Sequence, residues 1–312
     1  MGLWIAASCL AFFMALVLLA FATPQLGVPV AVAGMRFAAV DGGVIRYQLD
    51  GEGTHTIVFL HGFNQDLSSW DAVWARLESC PVRRLRVDIP GFGASRFDTD
   101  DYGLPIQTQR LASLLDTLHL QQVTLIGASM GGSLAVWLAA QHPERVAQLG
   151  LFAPSGYPGS LRHDGAFGRV LEPGLLKHAA TWLARTGIYR WLFPGSAARQ
   201  ALTTTNSYGP AWLEQLTRVQ APVLLAWSRG DRTADSATAD SVATALPNAT
   251  LFWLDESAGH DIPSTRPALT AESACLLARG MSPANIANEL AARAARDDSR
   301  TPAPAASRRS GH

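Results

Sequence analysis

Six short apolar runs punctuate the chain, at Thr56–Leu60, Leu85–Asp88, Val123–Ile126, Ala147–Phe152, Val223–Trp227 and Thr250–Leu254, and helical stretches separate them. Apolar runs this short, without polar alternation, are strands covered on both faces. Strands that alternate with helices build a mostly parallel sheet wrapped by helices, so the expected class is α/β. Ahead of them, Phe37-Ala38-Ala39-Val40 and Val44-Ile45-Arg46-Tyr47 flank Asp41-Gly42-Gly43, which reads as a hairpin. Between Pro154 and Arg218 the strand rhythm stops. Helical segments carrying Trp182, Tyr189, Trp191, Phe193 and Trp212 take its place among glycines and prolines, which reads as an inserted helical cap. The expected division is an N-terminal segment and linker at 1–33, a core at 34–154, the cap at 155–218, the second part of the core at 219–298 and a disordered tail at 299–312. That tail, with Pro302, Pro304 and Arg308-Arg309, has little to bury.

With 312 residues and 48% of them hydrophobic, the chain can bury one large core. Its 25 basic and 25 acidic residues cancel, and no block of like charges is long enough to track a phosphate backbone. Nucleic acid is therefore excluded as a partner, and polyanions as substrates. Leu3 to Ala22 is an uninterrupted apolar run, long enough to cross a hydrocarbon layer about 30 Å thick as a helix. Two readings of it stand. Ala20-Phe21-Ala22 resembles a signal-peptidase site, which would make the protein secreted or periplasmic, whereas the length of the run and the absence of early lysine or arginine favour a retained membrane anchor. Of the three cysteines, Cys9 lies in that run, and Cys80 and Cys275 leave one possible pair. Nothing in their spacing suggests a metal site or a disulfide framework, and two ordinary buried thiols are the expectation.

The third strand in this series, Gln122 to Ile126, leads into Gly127-Ala128-Ser129-Met130-Gly131-Gly132, and Ser133 to Gln141 follows with helix formers and no proline until Pro143. A serine between glycines on a tight strand-to-helix turn is a nucleophile elbow, in which the glycines make room for a strained backbone. Such a serine needs a histidine base and a carboxylate within hydrogen-bond reach. Functional groups in open parallel sheets collect at the carboxyl ends of strands. There Val223–Trp227 runs into Ser228-Arg229-Gly230-Asp231, and Thr250–Leu254 into Asp255-Glu256-Ser257-Ala258-Gly259-His260. Asp231 is the expected acid, with Asp235 its rival, and His260 the expected general base. Thr56–Leu60 is followed by His61-Gly62-Phe63, where the Phe63 N–H, together with that of Met130, would form an oxyanion hole. His61 is expected to position the loop. Asp88-Ile89-Pro90-Gly91-Phe92-Gly93-Ala94-Ser95 braces it and fits neither a P-loop nor a dinucleotide fingerprint.

His61-Gly62, Asp88-x-Pro90-Gly91-x-Gly93-x-Ser95, Gly127-x-Ser129-Met130-Gly131-Gly132, Pro143-Glu144-Arg145-Val146 and Gly259-His260 together resemble the α/β-hydrolase superfamily, over roughly Met35 to Arg279. Within it, the apolar N-terminus, the Ser129 elbow and Phe152-Ala153-Pro154-Ser155-Gly156 resemble membrane-anchored monoacylglycerol lipases and carboxylesterases. One departure is Ser228, where relatives often carry glycine. The resemblance implies acyl transfer to water through an acyl-enzyme on Ser129, with neither metal nor organic cofactor, and an apolar acyl pocket under the cap that takes a lipid or other medium or long acyl ester. The same triad also serves carbon–carbon hydrolases and cofactor-free peroxidases. Some members of the fold are binding modules, which lack the nucleophile or the base.

Overall fold

The computed structural model describes residues 34–97, 101–158 and 208–300, with side chains up to residue 293. The apolar run Leu3–Ala22, the aromatics Trp182, Tyr189, Trp191 and Phe193 of the expected cap, and the chain after Arg300 lie outside these residues. No helix among the described residues is long and apolar enough to cross a membrane.

Nine strands form one sheet: β1 (Met35–Val40), β2 (Gly43–Asp50), β3 (Thr56–Leu60), β4 (Arg83–Val87), β5 (Arg96–Phe97), β6 (Val123–Ala128), β7 (Val146–Phe152), β8 (Val223–Ser228) and β9 (Ala249–Leu254). Their order is β1-β2-β4-β3-β6-β7-β8-β9, with β5 on β2. From β4 to β9 every neighbouring pair is parallel, while β2 pairs antiparallel with β1, β4 and β5. The hairpin and all six expected strands are present. The two-residue β5 is an addition that no periodicity announces. Every residue of β3, β6 and β8 is buried, as strands covered on both faces require.

Among the described residues the α-helices are α1 (Asp71–Trp74), α2 (Leu104–Thr117), α3 (Met130–Gln141), α4 (Pro210–Arg218), α5 (Ala239–Ala245), α6 (Ile262–Thr265), α7 (Pro267–Ala278) and α8 (Pro283–Arg300). One layer runs α2, α3, α4, α5, each packed on the next. A second is built from α1, α7 and α8, with α7 against β3, β6 and β7. Helix α4 closes the region expected to be cap, and it packs on α3 with Trp212 wholly buried. This aromatic therefore serves the body of the protein.

Cys80, after the first helical turns, and Cys275, on α7, are joined by a disulfide with Cα atoms 6.0 Å apart. The expectation of two separate thiols is corrected. A bridge between residues 195 positions apart depends on tertiary packing, here of α7 on α1 and the turn Ala75–Leu77, and leaves no local spacing signal. The helix α8 runs through Arg300, two residues into the expected tail.

Candidate active site

β6 ends at Ala128, α3 begins at Met130, and Ser129 alone makes the turn, at φ 50° and ψ −118°. A side chain rarely adopts such a backbone, and strain of this kind persists only where neighbours hold it. They do so through the Ser129 N–H, which donates to the Phe152 carbonyl at 3.0 Å, and the Ser129 carbonyl, which accepts from Ser133 N at 3.1 Å and Ser155 N at 3.2 Å. Gly131 lets α3 approach the end of β3, since a Cβ there would lie 2.1 Å from the Leu60 carbonyl oxygen.

The strand order places β8 and β9 beyond β6 and β7, and their carboxyl-end loops bring the acid and the histidine to the elbow. His260 Nε2 lies 2.9 Å from Ser129 Oγ, and its Nδ1 lies 2.8 Å from Asp231 Oδ2. The Asp231 carboxylate is fully buried. Its other oxygen accepts from Thr233 N at 2.8 Å and Ala234 N at 2.9 Å, so the acid is held from both sides. Asp235, the rival, instead caps the short turn Ser236–Thr238 by accepting from Ala237 N.

The Phe63 loop abuts the elbow, with Gly62 against Ser129. The Gly62 N–H is engaged by Gln65 Oε1 at 2.8 Å. Those of Phe63 and Met130 have no hydrogen-bond partner among the described residues. Phe63 follows Gly62 and Met130 follows Ser129, so two free donors flank the place where Gly62 meets the serine, and free donors there are what a developing oxyanion needs. Beneath them His61 is wholly buried. Its Nε2 accepts from Ile89 N at 3.0 Å, which leaves Nδ1–H to donate to the Gly62 carbonyl at 2.8 Å. The imidazole thereby ties the Gly62 turn to the loop after β4.

Burial holds the His61 imidazole below its ordinary value of 6.5. The folded protein keeps it neutral, while the unfolded chain takes up a proton as pH falls through about 6.5. The unfolded state then binds more protons, so stability is present above that pH and lost progressively below it. His55 is shifted in the same direction by burial. Thermal melting is expected to drop between pH 7 and pH 5, and the drop should be shallower in His61→Gln. Identical slopes in the two proteins would refute this.

Serine hydroxyls that sequence reasoning did not single out complete the site. Ser133 Oγ donates to the Ser155 carbonyl, Ser155 Oγ lies 3.1 Å from Ser133 Oγ, and Tyr208 OH lies 2.8 Å from Ser155 Oγ. One proton per hydroxyl makes Tyr208 the donor at the end of this chain, and burial pushes its phenol up, keeping it protonated. Gly209 N also donates to the Gly156 carbonyl at 2.8 Å. The chain at Ser155-Gly156 and at Tyr208-Gly209 is thus fastened together behind Ser129. A signal was present in Phe152-Ala153-Pro154-Ser155-Gly156, but not the partner of Ser155.

The model of the alpha/beta hydrolase family matches residues 57–273, a span that contains Ser129, Asp231 and His260. The chain belongs to the alpha/beta hydrolase family. An uncharacterized hydrolase of Bacillus subtilis (strain 168) is 27% identical over 267 residues, covering 78% of this chain and 97% of that protein. The monoacylglycerol lipase ABHD6 of Homo sapiens is 26% identical over 248 residues, covering 70% and 73%. Among solved structures, a bacterial membrane phospholipase A described as a virulence factor superposes with a TM-score of 0.60 at 25% identity, covering 87% of this chain and 93% of that one. The protein is a hydrolase of this family.

Proposed function

We propose that this α/β-hydrolase cleaves carboxylic esters of medium or long acyl chains, monoacylglycerols among them, through an acyl-enzyme on Ser129. The observation that carries the reading is the continuous hydrogen-bond line from Ser129 Oγ to His260 and on to Asp231, at 2.9 and 2.8 Å. His260 Nε2 takes the hydroxyl proton as Oγ attacks the ester carbonyl carbon. Asp231 holds the imidazole tautomer and stabilises the imidazolium. The Phe63 and Met130 N–H groups receive the oxyanion, a contribution of roughly 3 kcal/mol for each donor. As the tetrahedral species collapses, the imidazolium gives its proton to the departing alkoxide and the alcohol leaves. Water then attacks the acyl-serine with His260 again as base, which releases the carboxylic acid and restores the hydroxyl.

The acyl preference is supported by the half-exposed Phe63, whose ring stands edge-on to Phe92 at 5.5 Å beside the donors. It is also supported by relatives that are named a monoacylglycerol lipase and a membrane phospholipase A. The apolar run Leu3–Ala22 would hold the enzyme at a lipid surface, or export it if cleaved after Ala22. A disulfide in the catalytic domain favours the oxidising side of that membrane.

The test uses the full chain with p-nitrophenyl esters from acetate to palmitate, with a monoacylglycerol and with a serine-directed phosphonate. Turnover and labelling that both vanish in Ser129→Ala, with an optimum at eight carbons or longer, are the expected result. Labelling without turnover of any ester, or an unlabelled Ser129, would overturn the ester reading.

A further inference from the structure

We propose that Ser228 is a positioning residue that locks the loop carrying Asp231 to the loop carrying His260; this rests on the reading of Ser129, His260 and Asp231 as a working triad. Ser228 is the last residue of β8 and is fully buried. Its Oγ donates to the Asp255 carbonyl at 2.7 Å and accepts from Gly259 N at 3.0 Å and Gly230 N at 3.2 Å. One bond donated and two accepted fill the capacity of a hydroxyl.

The placement of these three partners is what matters. Gly230 immediately precedes the acid, Gly259 immediately precedes the histidine, and Asp255 starts the turn that leads to it. A single oxygen atom therefore joins both loops at the positions that aim the two side chains. The loops are in close contact there, since a Cβ on Gly230 would lie 2.1 Å from the Glu256 carbonyl oxygen. One backbone bond, Arg229 N to the Leu254 carbonyl at 3.1 Å, reinforces the join at the strand ends. Beyond it the Ser228 hydroxyl holds the tips together. Glycine at this position would keep the strand but leave two N–H groups and a carbonyl without this partner. Displacements of about an ångström at a reacting group are costly far beyond the bond that was lost, so this chain obtains from one side chain the alignment between its acid and its base.

The experiment is a double-mutant cycle in the full-length protein, with kcat and KM measured on a p-nitrophenyl ester. Ser228→Gly is expected to lower kcat roughly tenfold with KM unchanged, and Ser228→Ala, which keeps the Cβ, to do the same. In an Asp231→Asn background either replacement should cost less than about twofold, because the alignment it disturbs no longer serves an ionised acid. A residue with a merely structural role would lower the melting temperature and give equal losses in both backgrounds. Equal losses, or wild-type kcat in both Ser228 variants, would overturn the proposal. If Ser129→Ala retained turnover, the triad reading itself would fail and this inference with it.

Discussion

Alanine in place of His260 is expected to lower kcat for ester hydrolysis by roughly 10⁴- to 10⁶-fold with little change in KM. A serine hydroxyl is almost never ionised at neutral pH, and the only base within reach of Ser129 Oγ among the described residues is His260 Nε2, at 2.9 Å. The alcohol leaving group depends on the same nitrogen for its proton, so one replacement removes both transfers. Binding of the ground-state ester is left intact. Residues that act as one unit do not add: Ser129→Ala combined with His260→Ala should be no slower than either single variant, the remainder coming from the oxyanion donors and from binding. Steady-state rates on the preferred ester, corrected for uncatalysed hydrolysis, decide the matter. A His260 variant within about a hundredfold of wild type would mean that another group accepts the proton.

Asp88→Ala is expected to destabilise the fold by about 3–5 kcal/mol and, through the fold, to impair the site. The Asp88 side chain has no exposure to solvent. It accepts from Arg46 Nε at 2.6 Å, Arg46 Nη2 at 3.1 Å, Leu67 N at 2.9 Å and Ala94 N at 2.6 Å. Its own backbone carbonyl accepts from Ser95 Oγ at 2.7 Å, and Ser95 Oγ in turn accepts from Arg46 N at 2.9 Å. Removing the carboxylate leaves a nearly buried guanidinium with only the partly exposed Asp66 carboxylate, 3.9 Å away, as its counter-charge, and it leaves the Leu67 and Ala94 N–H groups without partners. That weakly compensated charge is the largest part of the cost. The carboxylate also holds the loop whose Ile89 N–H is bonded to His61, so the oxyanion turn loosens with it. Denaturant titration should show the lower midpoint with an unchanged slope. Replacing Arg46 by methionine in the same variant should recover part of the loss, because the weakly compensated charge goes with it. A midpoint equal to wild type would refute the assignment of Asp88 as the keystone of this corner.

The strands were legible because their sequences report burial directly. A run such as Val223-Leu224-Leu225-Ala226-Trp227 has only one environment that suits it, the middle of a sheet covered on both faces. The places of Ser129, Asp231 and His260 followed from that, since each lies at the carboxyl end of a strand. What was not legible has a common physical origin. Ser228, Ser133, Ser155 and Tyr208 act through hydroxyl bonds to residues that the fold brings together, and a serine in sequence does not disclose its partner. Asp235 competed with Asp231 on sequence because both follow the same strand. The structure separates them by which carboxylate faces the imidazole and which closes its own turn. Strand β5 is too short to carry a period, and the sulfur bridge between Cys80 and Cys275 depends on the docking of α7.

That bridge makes the chain from 80 to 275 a closed ring, and every residue assigned here to nucleophile, base, acid and second oxyanion donor lies on it. Cutting the polypeptide once anywhere on the ring opens the circle without producing two molecules. A protein nicked between residues 159 and 207 would run as two fragments on a gel with reductant and as one band without it. The fragment bearing Ser129 would stay covalently attached to the fragment bearing Asp231 and His260.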